Sequence, residues 1–290
     1  MGISKKIESK EFLTLAEIIP PKGVDVSQML SKATALRELV DAFLVPDMSN
    51  AVMHMSALGA AIILQQNGME AVMQISCRDR NRLALQADLL ASYACGVNNI
   101  MAVTTEDTKS GDHHETKLVD DVQLLDLLEA CLLLQKGKDM AGIDLEGSPT
   151  FLVGSTVNAA AKGARLDREL EEINKKKERG VAYFVTPPVF ALSSIESFLK
   201  AVDRQKINII PTVLLLKSAG MARYIDTHSE NIRIPEELIV RIQKASNSLR
   251  ECMKIAAETV STFKKEGFCG VAITALGLES RIVEILEEAS

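Results

Sequence analysis

The stretch "AVMQISCRDRNRLALQADLLASYACGVNNIMAV", residues 71 to 103, decides the fold. Its two ends, "AVMQIS" (71 to 76) and "NNIMAV" (98 to 103), are apolar runs of strand length. Between them "RNRLALQADLLASYA" (80 to 94) has apolar residues near i, i+3, i+4 and i+7 and charge on the other face, as in a helix that packs one side on a sheet. The alternation continues outward in both directions. Strand-like runs recur at 12 to 18, 41 to 46, 150 to 155, 181 to 186, 207 to 216 and 269 to 275, making eight. Amphipathic stretches at 118 to 135, 166 to 179 and 246 to 266 lie between them. Eight strands separated by helices are what a (β/α)8 TIM barrel requires. The competing doubly wound open sheet calls for a G-x-G-x-x-G after the first strand, and none is present. No repeat, low-complexity tract or linker marks a boundary, so residues 1 to 290 read as a single α/β domain.

Composition narrows the function. The 290 residues are 47% hydrophobic and 25% charged, with 33 basic and 39 acidic side chains giving a net charge of -6. No basic stripe interleaved with aromatics is present, which argues against nucleic acid and for a small molecule or another protein. The N-terminal "MGISKKIESKEF" lacks a signal-peptide core, and no uncharged run approaches the roughly eighteen residues of a membrane span. The expectation is a soluble, cytoplasmic protein. Cysteines 77, 95, 131, 252 and 269 form no C-x-x-C pair, which fits reduced thiols rather than disulfides, a zinc ribbon or an iron–sulfur cluster. His113 and His114 are adjacent while His54 and His228 stand alone, so no metal site is expected.

In a barrel, chemistry sits at the strand C-termini and the loops after them. "LAEIIPPKG" (15 to 23) ends the first strand on Glu17, and Pro20 and Pro21 then turn the chain over the rim. Other strand ends supply Asp47, "SCRDRNR" (76 to 82), "TTED" (104 to 107), Ser155, Thr186 with Pro187 and Pro188, and "KSAGMARY" (217 to 224). A carboxyl in an apolar mouth is held toward its neutral form, so Glu17 reads as a general acid with Asp47 or Glu106 as the ionised partner. The structural alternative is a salt bridge from Glu17 to Arg78 or Arg80. Asp79 reads as the N-cap of the third helix, and Asp112, in "SGDHHE" (110 to 115), as the cap of a following helix. Lys175, Lys176 and Lys177 read as the solvated end of the helix over 166 to 179.

Five stretches carry a resemblance: "LAEIIPPKGVD", "SCRDRNRLALQADLLASYACGVNNIMAVT", "SGDHHETK", "VDDVQLL" and "LLLKSAGMARY". Together they resemble the methylenetetrahydrofolate reductase family, in the short form of anaerobic one-carbon metabolism, from Leu15 to the end of the chain. The resemblance implies a (β/α)8 barrel with a flavin, FAD or FMN, at the strand C-termini, passing a hydride to methylenetetrahydrofolate to give methyltetrahydrofolate. Glu17 matches the family's general acid, which assists opening of the five-membered ring. Carried over onto this chain, the folate side comprises Glu106, Thr186, Ser218 and Met221. The flavin side comprises Asp47, Thr104, Thr105, Glu106, Ser155 and Lys176, with no metal.

The chain departs from the family at the ligand walls. Thr105 and Glu106 stand where the family has Gly-Asp, with Asp107 one residue further on. Thr186 is followed by Pro187 where the family has glutamine, and Pro46 stands in place of a threonine. "GSTVNAAAKG" (154 to 163) lacks the family's proline–glutamate or histidine pattern. Two functions follow from the resemblance. The first is a flavin-dependent reductase drawing electrons from a nicotinamide or an iron–sulfur partner protein. The second is a flavin-free paralogue that binds a tetrahydrofolate derivative, exchanges a methyl group with a corrinoid partner or serves as a non-catalytic subunit. Assembly into a homo-oligomer is compatible with either.

Overall fold

A computed structural model describes residues 2–119 and 121–289. Eight parallel strands, β1 (Leu13–Glu17), β2 (Ala42–Val45), β3 (Ala71–Ile75), β4 (Asn99–Ala102), β5 (Leu152–Thr156), β6 (Val181–Pro188), β7 (Asn208–Leu214) and β8 (Gly270–Thr274), pair in sequence order. β8 returns to β1, so the chain is the closed (β/α)8 barrel that the alternation predicts. Each strand falls within two residues of its sequence-derived span; β6 runs on through Pro187 and Pro188, with an irregular register against β7 between Val185 and Pro188.

Helices α1 (Ile3–Ser9), α2 (Ser27–Leu36), α3 (Ala57–Gln66), α4 (Arg82–Ala94), α5 (Leu124–Gln135), α6 (Ala164–Glu178), α7 (Glu196–Ala201), α8 (Ala219–His228), α9 (Glu236–Lys244), α10 (Ser248–Lys265) and α11 (Ile282–Ala289) complete the chain. The helix expected from residue 118 begins at Leu124, and Asp120 of the "VDDVQLL" motif lies outside the described residues.

Side chains alternate between the two faces of a strand, which divides each one into barrel-facing and helix-facing positions. Leu13, Leu15, Val72, Met101, Val185 and Ala272 pack together in the barrel interior, while Ala16, Phe43, Met73, Ile100, Phe184 and Ile273 belong to the larger layer beneath the helices. α1 precedes the first strand and contributes buried Ile3 and Ile7 to the interior cluster, so it stoppers the N-terminal end of the barrel.

Two glycines make the interior possible. Gly154 on β5 faces Tyr183 of β6, whose ring is fully buried; a Cβ at 154 would lie 2.3 Å from that ring. Gly270 opens β8 opposite Leu13, where a Cβ would come 2.3 Å from the Leu13 carbonyl oxygen. Gly154→Ala is therefore expected to destabilise the protein by about 2–3 kcal/mol through overpacking, as measured by the midpoint of urea unfolding.

Candidate active site

Toward the C-terminal end of the barrel, Glu17 of β1, Leu44 of β2, Gln74 of β3, Thr156 of β5, Thr212 of β7 and Thr274 of β8 form part of the lining of a cavity of about 830 Å³. That size suits a ligand with one or two ring systems.

Glu17 is placed by register. Ala16 pairs with Ile273, so the next residues, Glu17 and Thr274, project side by side into the mouth, and the Thr274 hydroxyl donates to Glu17 Oε1 at 2.5 Å. Burial pushes the Glu17 carboxyl above the ordinary carboxylate range; the Thr274 hydrogen bond opposes this and the nearby charge of Glu279 adds to it. Glu17 makes no ion pair with Arg78 or Arg80, which are engaged with Asp79 and with Asp47 and Asp88 respectively. The salt-bridged alternative is thus replaced by an acid biased toward its protonated form.

The opposite wall comes from α6. Glu169, Glu172 and Lys176 recur at helical spacing and all line the cavity. Lys176 is only 6% exposed and its Nζ donates to the Thr156 carbonyl at 2.8 Å, which corrects the reading of all three lysines as solvated; Lys175 and Lys177 remain outside. Burial holds the Lys176 ammonium below its ordinary pKa, with the charges of Glu169 and Glu172 opposing. Beyond them the Asn158 side-chain amide donates to Asn231 Oδ1 at 2.8 Å, and Glu169 accepts the Asn158 N–H at 2.9 Å.

Thr104, Thr105 and Glu106 follow β4 and line the same cavity. Thr105 Oγ1 is buried without a hydrogen-bond partner. The Glu106 carboxylate is exposed and accepts the Asn50 N–H at 3.1 Å, while its carbonyl accepts from Arg78 at 3.0 Å. Asn50, with its neighbours Met48 and Ala51, takes up left-handed φ angles of 51° to 55° in the loop after β2. Asp112 ties these loops together: it pairs with Lys22 from the loop after β1, accepts the Met53 N–H at 3.1 Å and bonds His113 at 2.9 Å. The expected helix cap at Asp112 is corrected accordingly, because turns rather than a helix follow it. Asp79 is likewise paired with Arg78 at 2.7 Å, and Asn81 caps α4 by accepting from Leu83 and Ala84.

Of the carried-over residues, Glu17, Thr104, Thr105, Glu106, Lys176 and Thr186 meet at this mouth. Thr186 donates to the Pro187 carbonyl at 2.7 Å and accepts the Thr212 N–H at 3.3 Å. Four others stand outside the cavity lining. Asp47 is 3% exposed and is held by Arg80, the Ser76 N–H (2.9 Å) and the Ser76 hydroxyl (3.1 Å). Ser155 has the helix-facing parity of β5 and donates to the Ala102 carbonyl at 3.0 Å. Ser218 caps α8 by accepting the Met221 N–H at 3.2 Å, and the Met221 side chain packs on the core beneath the helices. Sequence reasoning missed Gln74, Thr274, Asn158, Glu169, Glu172 and Asn231. Period-two counting back from the strand ends would have found the first two, and helical spacing from Lys176 the acids.

No three histidine, cysteine, aspartate or glutamate side chains come together for a metal ion among the described residues, and no helix among them is long and apolar enough to cross a membrane.

A closed eight-stranded barrel with its polar cavity at the strand C-termini places the chain in the class of (β/α)8 proteins that bind ligands at the barrel mouth. Within that class the sequence matches the family model of methylenetetrahydrofolate reductase over residues 2–290, and the chain belongs to that family. No curated protein matches the sequence significantly. Among solved structures, an uncharacterised protein from Clostridium thermocellum that binds two copies of 5-methyl-5,6,7,8-tetrahydrofolic acid superposes with a TM-score of 0.63 at 14% identity, covering 99% of this chain and 97% of that one. EDTA monooxygenase (EmoA) from Chelativorans sp. BNC1 superposes with a TM-score of 0.54 at 10% identity, covering 96% and 92%. The 2,3-dimethylmalate lyase of the PEP mutase/isocitrate lyase superfamily gives the same TM-score and identity, covering 98% and 82%. At these identities the likeness is one of fold.

Asp47→Asn is expected to destabilise the protein by about 2–3 kcal/mol, since it leaves half-buried Arg80 with Asp88 as its remaining carboxylate, and to leave ligand affinity at the mouth unchanged. Urea unfolding and a binding titration on the same variant separate the two effects.

Proposed function

We propose that the chain is a flavin-dependent methylenetetrahydrofolate reductase in which Glu17 is the general acid. The observation that carries this reading is the Glu17 carboxyl itself, set in the barrel mouth beside Thr274 and biased by burial toward the protonated form. A neutral carboxylic acid at that place can deliver its proton to the ring nitrogen that leaves as the five-membered ring of methylenetetrahydrofolate opens. The iminium carbon so exposed is the hydride acceptor, and Glu17 ends as the carboxylate, to be reprotonated from solvent through the mouth.

The residues present fit a flavin. Gln74, Thr104, Thr105 and Gln123 bring hydrogen-bonding side chains to the side of the cavity formed by β3, β4 and the start of α5, and the orphaned Thr105 hydroxyl lacks a partner that a ring heteroatom supplies. Lys176 offers a cation at the opposite wall. When bound, the reduced flavin supplies the hydride. The protein's share is to orient the folate against that wall and to hold and release the proton at Glu17. Electrons would reach the flavin from a nicotinamide or from an iron–sulfur partner protein.

A second reading, a flavin-free methyltetrahydrofolate-binding protein, draws support from the structural neighbour that binds two copies of 5-methyltetrahydrofolic acid and from Pro187, which brings no side-chain donor or acceptor to the cavity. An absorbance spectrum after incubation with FAD or FMN and desalting distinguishes them. A retained flavin band with reduction of methylenetetrahydrofolate by an artificial or nicotinamide donor is the expected result. A colourless protein that binds methyltetrahydrofolate and reduces nothing would replace the first reading by the second.

Glu17→Gln is expected to lower the reduction rate by at least about 100-fold while folate still binds. The sign of its stability effect also follows. A carboxyl whose pKa is raised on folding favours the folded state in full below the unfolded pKa, and the benefit is lost as pH rises through the folded pKa. Glu17→Gln removes that loss, so it should match the wild type in thermal stability near about pH 4 and exceed it at neutral and alkaline pH.

A further inference from the structure

The two carboxyl oxygens of Glu17 are held differently. Oε1 accepts the Thr274 hydroxyl at 2.5 Å, while Oε2 has no hydrogen-bond partner among the described residues and is open to the cavity that Glu17 lines. No charged neighbour takes that second place. Around the mouth Glu106, Glu169, Glu172 and Lys176 are bonded to Asn50, Asn158, Lys175 and Thr156 respectively, and Glu279, in the turn after β8, is paired with Lys32 at 2.7 Å.

The hydroxyl hydrogen of Thr274 has one place to go. Glu17 Oε1 is the single acceptor it meets among the described residues, so Thr274 donates there. Two other threonines of the mouth spend their hydroxyls on the backbone, Thr186 on the Pro187 carbonyl at 2.7 Å and Thr212 on the Thr186 carbonyl at 2.6 Å. Thr274 is also firmly set. Its strand is paired on both sides, Ile273 with Ala16 of β1 and Thr274 itself with Leu214 of β7, and its carbonyl accepts the Leu215 N–H at 2.9 Å. A β-branched side chain on such a strand has few rotamers open to it.

Resting on the reading of Glu17 as the proton donor, we infer that Thr274 is a positioning residue that decides which oxygen of Glu17 carries the proton: a hydroxyl donating to Oε1 makes that oxygen the carbonyl end of the neutral acid, so the O–H stands on Oε2, the oxygen open to the ligand. The same bond helps the proton leave. As the Oε2–H bond breaks, the proton passes to the ring nitrogen and the electron pair stays on the carboxylate, so the Thr274 hydroxyl then donates to a charged acceptor and its hydrogen bond strengthens.

The test reads the acid directly. Infrared difference spectra across a pH titration of the ligand-free protein follow the carbonyl stretch of protonated Glu17, assigned by its disappearance in Glu17→Gln. Thr274→Val keeps the side-chain shape and removes the hydroxyl, so the stretch is expected at higher wavenumber and the midpoint about one pH unit higher, because the carboxylate loses a hydrogen bond. Thr274→Ser keeps the hydroxyl and is expected to keep both near the wild-type values. In turnover, Thr274→Val is expected to lower kcat about tenfold at unchanged KM and to carry the alkaline limb of the pH profile upward, and Thr274→Ser to restore both. A stretch unmoved in Thr274→Val, a stretch moved equally by Thr274→Ser, or a Thr274→Val kcat equal to that of the wild type overturns the inference. If Thr274→Val does not fold, Thr274→Ala, which also lacks the hydroxyl, is read in the same way. Spectral shifts as expected in a protein whose wild type reduces no methylenetetrahydrofolate uphold the hold of Thr274 on the acid and remove the reductase reading instead.

Discussion

The barrel depends on one seam. β1 and β8 are far apart in the chain, and their pairing, Leu13 with Gly270 through Ala16 with Ile273, turns an open row of strands into a closed ring without an edge. The approach is close enough that position 270 has no room for a side chain beside the Leu13 carbonyl. Once that register is set, the alternation of each strand determines which side chains face inward, and the last inward position on β1 and on β8 is polar. Glu17 and Thr274 meet because the ring closes where it does.

From this seam the site spreads in two directions. Over the first strands the loops after β1, β2 and β4 are tied into one rim by Asp112, with Lys22 and the Met53 N–H converging on its carboxylate, while Arg78 braces Met48 and Glu106 from below. On the far side α6 leans its Glu169, Glu172 and Lys176 face over the cavity. The cavity is thus lined by four carboxyl groups, at Glu17, Glu106, Glu169 and Glu172, against the single ammonium of Lys176 among the described residues. Such a lining favours ring edges rich in N–H donors against its acidic side chains.

Much of this was legible in the sequence, and the rest was hidden for identifiable reasons. The strands were readable because buried parallel strands are short continuous apolar runs bounded by polar helices. Glu17 was readable because a carboxylate interrupts such a run beside two prolines. Ser155 reads as a strand end because the apolar run stops there, whereas the strand's alternation continues to Thr156 and the two neighbours face opposite layers. Asp47 reads like a ligand-facing acid in the sequence, but Arg80 folds against it, a contact across two strand ends that no local pattern encodes. Lys176 sits between exposed Lys175 and half-buried Lys177, and only the helix's rotation against the barrel turns it into the cavity.

The stopper helix α1 and the ring of Tyr183 have a bearing on traffic. With Ile3 and Ile7 filling the N-terminal end and the Tyr183 ring buried in the interior, the barrel is a cup rather than a tube, and its contents enter and leave over one lip. Two planar guests sharing such a cup form a queue: the one lying deeper cannot depart past the one above it. For such a pair the order of binding and release follows depth beneath the rim.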